Sequence, residues 1–296
     1  MTTLAKINST APFGLADICD CHTHVFPPQA QFPFSASRHY TPAEASLEDL
    51  QAMHRAIGVE RVVIVHPSPY AADNRCLLWA LRTVGNQARG VAVIDDQTTA
   101  AALAEMHQVG VRGTRLNLET VGQNDPSLAQ QQLLRTAQQV APLGWHIQIY
   151  TNLKVIDGMH DTIMQSAATV VIDHFGRLDA SATLHQPGFE ALLSLVRSGK
   201  VYVKLSAPYR VSEAPDYVDV NPFAAALIDA NVDRMLWGTD WPHPFPPKGS
   251  VRQPAVVEAF HTEDNQAAIN RVVRWAQTPE RAKKILVDNP ARLYDF

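Results

Sequence analysis

The sequence predicts a single (β/α)8 barrel of the TIM type, and three observations support this prediction. Short apolar, β-branched runs alternate with amphipathic segments of helical length through all 296 residues. Eight such runs occur, and several are continuously hydrophobic, as parallel strands covered on both faces are. No glycine- or serine-rich linker divides the chain, so we expect one domain over residues 1–296, with an N-terminal extension of about 15 residues.

Each β-branched run is assigned to one barrel strand, in chain order. The eight predicted strands are residues 18–22, 62–66, 91–94, 113–117, 146–150, 170–174, 201–205 and 235–238. Eight β/α alternations favour a closed barrel over a doubly wound sheet. No GxGxxG motif follows the first strand, which counts against a dinucleotide-binding fold.

The predicted helices lie between these strands and show apolar residues every three or four positions. The clearest are residues 47–57, 77–84, 133–140, where Leu134 joins the apolar face, and 269–276. Ser46 and Asp49 resemble a capping box at the start of the first helix. Four glycines stand where a left-handed residue ends a helix. They are Gly58, Gly110, Gly144 and Gly199.

Composition and charge exclude several classes of protein. Hydrophobic residues make up 46% of the chain and charged residues 18%, which favours a large buried core over disorder. The formal net charge of −4 provides no basic field for nucleic acid or an anionic membrane. The three cysteines lack CxxC spacing and predict reduced thiols, with Cys19 and Cys21 as neighbours on one strand. With neither an apolar leader nor a membrane-spanning run, we expect a cytoplasmic protein.

Polar residues gather at the ends of the predicted strands, where a barrel of this kind places its chemistry. They include Asp20, His22, His24, Ser68, Arg115, Tyr150, His174, Arg177, Arg210, Asp240 and His243. One such residue is uninformative, because a buried histidine or a surface arginine is common in any fold. Their convergence on one barrel mouth predicts a functional site.

Three of these groups have a specific chemical meaning. His22 and His24 alternate on a strand, so both imidazoles can face the barrel interior, although paired core histidines are an alternative. Asp240, between glycine and proline, suits a general base or metal ligand, or else a helix N-cap. His174 precedes a glycine and an arginine, which indicates an open loop rather than a core position.

Three arginines and one lysine also have expected roles. Arg115, Arg177 and Arg210 on one rim predict a carboxylate clamp, because guanidinium binds carboxylate in a bidentate manner. Lys204 lies on the seventh predicted strand and is either a barrel-interior, catalytic lysine or an outward-facing one. The histidines outside the strand ends are interpreted as ordinary solvated residues. They are His54, His107, His160, His185 and His261.

Three segments together resemble the amidohydrolase-2 branch of the amidohydrolase superfamily. They are DCHTHVF at residues 20–26, residues 170–176, and WGTDWPH at residues 237–243. Within that branch the chain resembles the 2-pyrone-4,6-dicarboxylate lactonase group, which also contains sugar-acid lactone isomerases of the galactarolactone type. The resemblance extends from about residue 17 to residue 294.

The resemblance implies a role for each matching residue. It implies that Asp240 deprotonates the hydrolytic water, that His174 polarises a lactone carbonyl, and that His22 and His24 line the same centre. It further implies that substrate carboxylates are held by Tyr40, Ser68, Arg115, Tyr150, Arg177 and Arg210, and we add His243 to this binding set. The segment 27–41 is expected to cover the barrel mouth and to contribute Tyr40.

One departure from the lactonase pattern concerns the substrate. The lactonases have a second basic residue soon after the arginine of strand 4. Here residues 116–123 read LNLETVGQ, without lysine or arginine and with the acidic Glu119. A lactone with a single carboxylate, or one rich in hydroxyls, therefore fits better than a dicarboxylate.

Metal dependence also differs within the resembled branch. Metal-dependent members complete the site with a carboxylated lysine or a glutamate on strand 4, or a histidine on strand 5. Here those strands offer Arg115 and Tyr150, and His146 stands at the wrong end of its strand. A nearby arginine disfavours a dication, so we expect no metal and no cofactor. The alternative is zinc bound by His22, His24, His174 and Asp240.

The sequence thus predicts a metal-independent hydrolase that opens a small carboxylate-bearing lactone. Three alternatives remain: a sugar-acid lactone isomerase, a zinc-dependent hydrolase or decarboxylase, and a non-catalytic barrel that binds a carboxylate. The expected partner is a small molecule, without nucleic acid or membrane. The chain is either a monomer or a homo-oligomer.

Overall fold

Eight parallel strands form a barrel, as predicted. The computed structural model describes residues 11–246 and 251–296. Each barrel strand pairs with the next one along the chain, in the order β1-β3-β4-β5-β6-β7-β8-β9. The strands are β1 (Cys19–Thr23), β3 (Arg61–Val65), β4 (Ala88–Ala92), β5 (Val111–Asn117), β6 (His146–Tyr150), β7 (Val170–Ile172), β8 (Val201–Ser206) and β9 (Met235–Gly238).

Helices surround the barrel, and a separate two-stranded parallel sheet lies outside it. The sheet pairs β2 (Thr41–Pro42) with β10 (Val257–Glu258). Among the described residues, every helix is too short or too polar to cross a membrane. The helices are α1 (Leu47–Ile57), α2 (Arg75–Val84), α3 (Ala100–Val109), α4 (Pro126–Val140), α5 (Leu153–Gly158), α6 (His160–Gln165), α7 (Phe189–Arg197), α8 (Asn221–Asn231), α9 (Asn265–Ala276), α10 (Pro279–Lys283) and α11 (Asn289–Tyr294).

The predicted helix ends are confirmed. At the start of α1 the Ser46 hydroxyl accepts from the Asp49 amide at 3.0 Å, and the Asp49 carboxylate accepts from the Ser46 amide at 3.3 Å. Gly58 ends the same helix with φ of 76°, a left-handed conformation that side chains disfavour. The other three glycines also have positive φ.

Three sequence expectations differ from the structure. β7 ends at Ile172, two residues early, because His174 begins a tight turn with φ of 49°. β4 covers residues 88–92 rather than 91–94, since its pairing with β3 starts at Ala88. Leu134 is 48% exposed, so its assignment to the apolar face of α4 is wrong. The buried face follows Leu133, and the next residue along a helix points about 100° away.

The barrel closes between β1 and the residues that follow β9. The Asp240 amide donates to the His22 carbonyl at 2.8 Å, and the His24 amide donates to the Trp241 carbonyl at 2.8 Å. Closure therefore places His22, His24 and Asp240 side by side. The ends of these two strands thus meet at one mouth of the barrel.

A register irregularity in β1 brings both cysteines and His22 to the barrel interior. Cys19 and Cys21 belong to the interior cluster around Val63, and their sulfurs lie 3.9 Å apart, as neighbours, as predicted. All three cysteines of the chain lie within the described ranges and are unbridged. His22 also points inward, where it meets Lys204. Two successive inward residues break the alternation of a strand, and the register shifts between Asp20 and Thr23.

Gly238 is where β9 approaches β1 most tightly. A Cβ at this position would lie 2.7 Å from both the Cβ and the backbone nitrogen of His22. We expect Gly238→Ala to lower the free energy of unfolding by about 1–3 kcal/mol and to displace His22. The free energy of unfolding, measured with urea, and kcat/KM should fall together.

Gly144→Ala is the matched control for Gly238→Ala. A Cβ there meets nothing within 4 Å, although φ is 69°. Only the left-handed backbone should cost stability, about 1 kcal/mol, with no change in kinetics. Unchanged stability and kinetics in Gly238→Ala would contradict the close-approach explanation.

Candidate active site

The barrel mouth contains a cavity of about 240 Å³. Seven of the residues predicted for the site form part of its wall. They are His24, Tyr40, Ser68, Arg115, Tyr150, Arg177 and Arg210. His22, His174 and Asp240 are almost fully buried beside His24 and Arg210, in the barrel interior.

His243 is placed apart from the other predicted binding residues. It is 4% exposed and is absent from the residues that line the cavity. Its amide donates to the Asp240 carbonyl at 2.7 Å, and this tight turn directs its ring toward Tyr209, with ring centroids 5.9 Å apart. The structure therefore places the His243 ring against Tyr209 rather than among the seven predicted residues of the cavity wall.

The two carboxylate oxygens of Asp240 have different surroundings. Oδ2 accepts from the Tyr209 hydroxyl at 2.6 Å and from Arg210 Nε and Nη2 at 2.8 and 2.5 Å. Oδ1 is buried and has no hydrogen-bond partner within the described ranges. It lies 3.5 Å from the Nε2 atoms of His22 and His24, and 3.8 Å from that of His174. One oxygen is thus anchored, and the other faces three imidazoles.

The other ring nitrogen of each histidine is held by a separate partner. His24 Nδ1 lies 2.8 Å from the Val65 carbonyl, which only accepts, so this nitrogen carries the proton. In neutral His24, Nε2 is therefore an acceptor. His174 Nδ1 lies 2.8 Å from the Ser206 hydroxyl, which can donate or accept. His22 Nδ1 is 3.2 Å from both Lys204 Nζ and Asp173 Oδ1.

Lys204 points into the barrel, which decides between the two orientations left open by the sequence. Its side chain is fully buried, and Nζ donates to Gln148 Oε1 at 2.6 Å. Gln148 Nε2 donates to Asp173 Oδ2 at 2.9 Å. These three residues and His22 form a buried polar network beneath the catalytic candidates.

Gln148 and Asp173 have no role in the sequence prediction, and neither do Tyr209 and Arg252. The alternation of β8 places Lys204 on the same strand face as Ser206, but only the tertiary contact of Ser206 with His174 shows that this face points inward. No comparable pattern marks Arg252, which reaches the cavity from the segment before β10. Its guanidinium lies 4.0 Å from the centre of the Tyr40 ring.

Burial and neighbouring charges shift the pKa values of Asp240 and of two of the histidines. Burial raises the pKa of Asp240, but Arg210 and His174 outweigh it and hold the pKa well below its usual range. Burial together with Lys204 lowers the pKa of His22 to about 4. Burial likewise holds the pKa of His174 well below its usual value. At neutral pH the aspartate is therefore ionised and both imidazoles are neutral.

Each arginine on the cavity wall has an acidic partner. Arg115 Nη2 lies 3.6 Å from Asp173, and Arg177 Nη2 lies 3.4 Å from Glu119. Arg210 pairs with Asp240, as described above, and the remaining pair is Arg252 with Glu258, at 2.9 Å. The Nε atoms of Arg115, Arg177 and Arg252 are buried donors without a partner in the described part of the chain. Three arginines of the wall therefore each retain a donor that no described residue uses.

His54 is not a solvated histidine, so that interpretation is wrong. It is 7% exposed, and its Nε2 lies 3.1 Å from Asp20 Oδ2. The same Asp20 carboxylate accepts from the Thr239 amide at 2.9 Å and the His22 amide at 3.1 Å. Asp20 thus ties α1, β1 and the end of β9 together, because three separate segments donate to it.

Some of these residues can also hold a divalent cation. Ligand atoms of His22, His174 and Asp240 all lie within 4.8 Å of one another, and His24 Nε2 adjoins them. Imidazole nitrogen and carboxylate oxygen are donors that suit zinc. The donor set therefore fits a metal in chemistry, although two side-chain cations lie directly against it.

Comparison with known proteins identifies the family. The amidohydrolase family profile matches residues 19–296, so the chain is an enzyme of the amidohydrolase family, as the sequence resemblance indicated. It is 35% identical over 289 residues to a 2-pyrone-4,6-dicarboxylate hydrolase of Comamonas testosteroni, covering 94% of this chain and 90% of that protein. It is also 34% identical over 278 residues to a 4-sulfomuconolactone hydrolase of Rhizobium radiobacter, covering 93% and 89%.

The fold agrees with a solved structure from the same group. A crystal structure from Pseudomonas putida, assigned as a 2-pyrone-4,6-dicarboxylic acid hydrolase, superposes with a TM-score of 0.80 at 33% identity. The match covers 95% of this chain and 98% of that chain. The similarity therefore extends over the barrel as a whole.

The buried histidines predict how stability depends on pH. The pKa values of His22, His66 and His243 are about 4, mainly because of burial, against about 6.5 in an unfolded chain. The unfolded state thus binds more protons between those values. The free energy of unfolding should fall as pH is lowered from about 6.5 to about 4, by at least ~1 kcal/mol between pH 7 and pH 5.

Urea unfolding at pH 7 and pH 5 measures this effect. Replacement of an exposed histidine, as in His185→Gln, should leave the pH dependence unchanged. Equal free energies of unfolding at the two pH values would show that the buried rings are charged at pH 5.

Proposed function

We propose that this protein hydrolyses a small carboxylate-bearing lactone, with Asp240 as general base and without a metal ion. The observation that carries the proposal is the asymmetry of Asp240. One oxygen is anchored by Arg210 and Tyr209, and the other is unpartnered among the described residues and faces three imidazoles. The names of the two lactone-hydrolase relatives support the same reaction class.

The attacking water is hydrogen-bonded to both Asp240 and His24. With its single proton on Nδ1, His24 has an acceptor at Nε2, which lies 3.5 Å from the second acceptor, Asp240 Oδ1. A water molecule that donates one hydrogen to each atom satisfies both. This arrangement fixes a lone pair of the water toward the substrate, and Asp240 accepts the proton as the oxygen attacks.

His22 and His174 stabilise the carbonyl oxygen of the substrate. When Lys204 Nζ donates to His22 Nδ1 and Ser206 donates to His174 Nδ1, each neutral ring carries its proton on Nε2. Both Nε2–H groups can then donate to the oxygen that becomes negative in the tetrahedral intermediate. The ring C–O bond breaks next, and the proton held by Asp240 passes to the departing oxygen.

The charge of the cavity wall supports a substrate with one carboxylate. The four arginines of the wall are matched by four carboxylates. A second anionic group would add its negative charge to that of Glu119 beside Arg177. This agrees with the absence of a basic residue from residues 116–123.

Two neighbouring cations support a metal-independent reaction. Lys204 Nζ lies 3.2 Å from His22, and Arg210 binds Asp240 directly. Both disfavour a dication on the same donors by Coulomb repulsion. If zinc were bound by His22, His174 and Asp240, it would polarise the carbonyl and acidify the bound water.

A lactone hydrolysis screen tests the proposal, with Asp240→Asn as the key variant. Small carboxylate-bearing lactones should be converted to ring-opened acids by chelator-treated, metal-free protein. Asp240→Asn should lower kcat by about 10²–10⁴-fold, because the amide cannot take the proton. Asp161→Asn, which alters a 92% exposed aspartate, should retain wild-type kinetics.

Product and metal analysis distinguish the alternatives. A rearranged lactone in place of the open acid would identify an isomerase. Activity that returns only with stoichiometric zinc would identify a metal-dependent enzyme. Full activity of Asp240→Asn would contradict the general-base assignment under either chemistry.

Arg177 tests the carboxylate clamp separately from the reaction step. Arg177→Ala should raise KM by about 10–100-fold with a smaller change in kcat, because a charge-assisted contact is lost. Arg197→Ala is the matched control, since Arg197 is 52% exposed on α7 and pairs with Glu190. A loss confined to kcat would place Arg177 in the transition state rather than in binding.

A further inference from the structure

A second cavity of about 200 Å³ opens beside the main one. It shares Ser68, Arg115 and Asn117 with the main cavity, so the two cavities adjoin each other. The rest of its wall is His66, Ala71 and Val93. A water molecule occupies about 30 Å³ of liquid, so the space suits a short substituent of a few atoms.

His66, in the wall of this side cavity, has a hydrogen-bond acceptor without a partner among the described residues. Its Nε2 lies 2.8 Å from the Ala71 carbonyl, which only accepts, so Nε2 carries the proton. Burial, with a contribution from Arg115, lowers the pKa of His66 to about 4, so the ring is neutral at neutral pH. Nδ1 therefore holds a lone pair.

That lone pair is unsatisfied in the described part of the molecule. His66 is fully buried, and its Nδ1 has no hydrogen-bond partner there. A buried acceptor without a donor is unfavourable, and a ligand that donates a hydrogen bond to it would remove this cost. The mechanism proposed above makes no use of this atom.

Arg115 supplies the complementary donor. Its Nε is also buried without a partner in the described ranges, whereas its Nη2 lies toward Asp173. Two residues of the cavity wall thus contain one unpaired acceptor and one unpaired donor. A hydroxyl group both donates and accepts, and so it matches the pair. A carboxylate has no hydrogen for the His66 lone pair, and a methyl group leaves both atoms unpaired.

We propose that the side cavity is a subsite for a hydroxyl-bearing substituent of the substrate, which donates to His66 Nδ1 and accepts from Arg115 Nε. The inference deepens the proposed lactone hydrolysis and rests on it. It makes His66 a specificity-determining residue that selects a neutral hydroxylated arm. The single carboxylate then remains with the arginines of the main cavity.

Matched lactones test this assignment. They share one ring and one carboxylate and carry, at each free ring carbon in turn, a hydroxymethyl, a methyl or a second carboxylate group. For one position, wild-type kcat/KM should be at least about tenfold higher with hydroxymethyl than with methyl, the value of one hydrogen bond. The dicarboxylate at that position should be the poorest substrate.

His66→Phe removes the acceptor and keeps a ring. It should bring the hydroxymethyl-to-methyl ratio close to one, while kcat/KM for the methyl lactone stays within about threefold of wild type. His160→Phe, on the outer surface of the barrel where His160 contacts Ser194, is the matched control and should keep the wild-type ratio. An equal loss on both substrates would show a purely structural role and overturn the proposal.

Val93→Phe tests the subsite independently, in case the His66 variant fails to fold. It fills the side cavity and leaves the His66 contacts in place, so it should reduce turnover of the hydroxymethyl lactone and spare the unsubstituted ring. Equal turnover of both rings by this variant would place the substituent elsewhere.

Binding separates this inference from the proposed reaction. Dissociation constants of the hydroxymethyl and methyl lactones are measured with Asp240→Asn, in which the proposed chemistry is blocked. Preference for the hydroxymethyl lactone, lost when His66→Phe is added, supports the subsite even if no lactone is hydrolysed. Equal affinities would overturn the subsite even if hydrolysis is observed.

Discussion

The buried ion pair between Arg210 and Asp240 is the interaction on which the rest of the site depends. It occupies one carboxylate oxygen completely and keeps the group ionised against the effect of burial. An ion pair in the interior is costly to form, and its geometry is retained only when further hydrogen bonds satisfy it. Tyr209 provides one of them. The other oxygen is consequently left to the three histidines, and this asymmetry permits a general base.

Barrel closure provides the frame for that pair. Asp240 and its neighbour Trp241 form main-chain hydrogen bonds to His22 and His24, across the seam between the first and last strands. Asp20 braces the same seam through His54 and Thr239. The catalytic candidates thus come from strands at opposite ends of the barrel sequence. Their relative positions are as rigid as the sheet, which favours precise orientation of a substrate.

Beneath the histidines, buried charge is balanced locally. Lys204 and Asp173 lie in one network with Gln148, so neither charge is isolated in the barrel. The network also reaches His22 Nδ1 and so influences which nitrogen of that ring carries the proton. The same principle operates at the rim, where each arginine has a carboxylate partner. The positive charge of the rim is thereby largely balanced within the protein itself.

The sequence alone determined the barrel, its strand order and the residues at the strand ends, because hydrophobic periodicity and the barrel rule for active sites are local patterns. His22, His24, His174, Asp240 and the three arginines were all predicted in this way. Tertiary structure alone decided that Lys204 points inward, that His54 is buried against Asp20, and that the His243 ring packs against Tyr209. It also brought in Arg252 and Gln148. These placements depend on contacts between residues far apart in the chain, as in the pairing of Lys204 with His22, and no periodicity within one segment encodes such contacts.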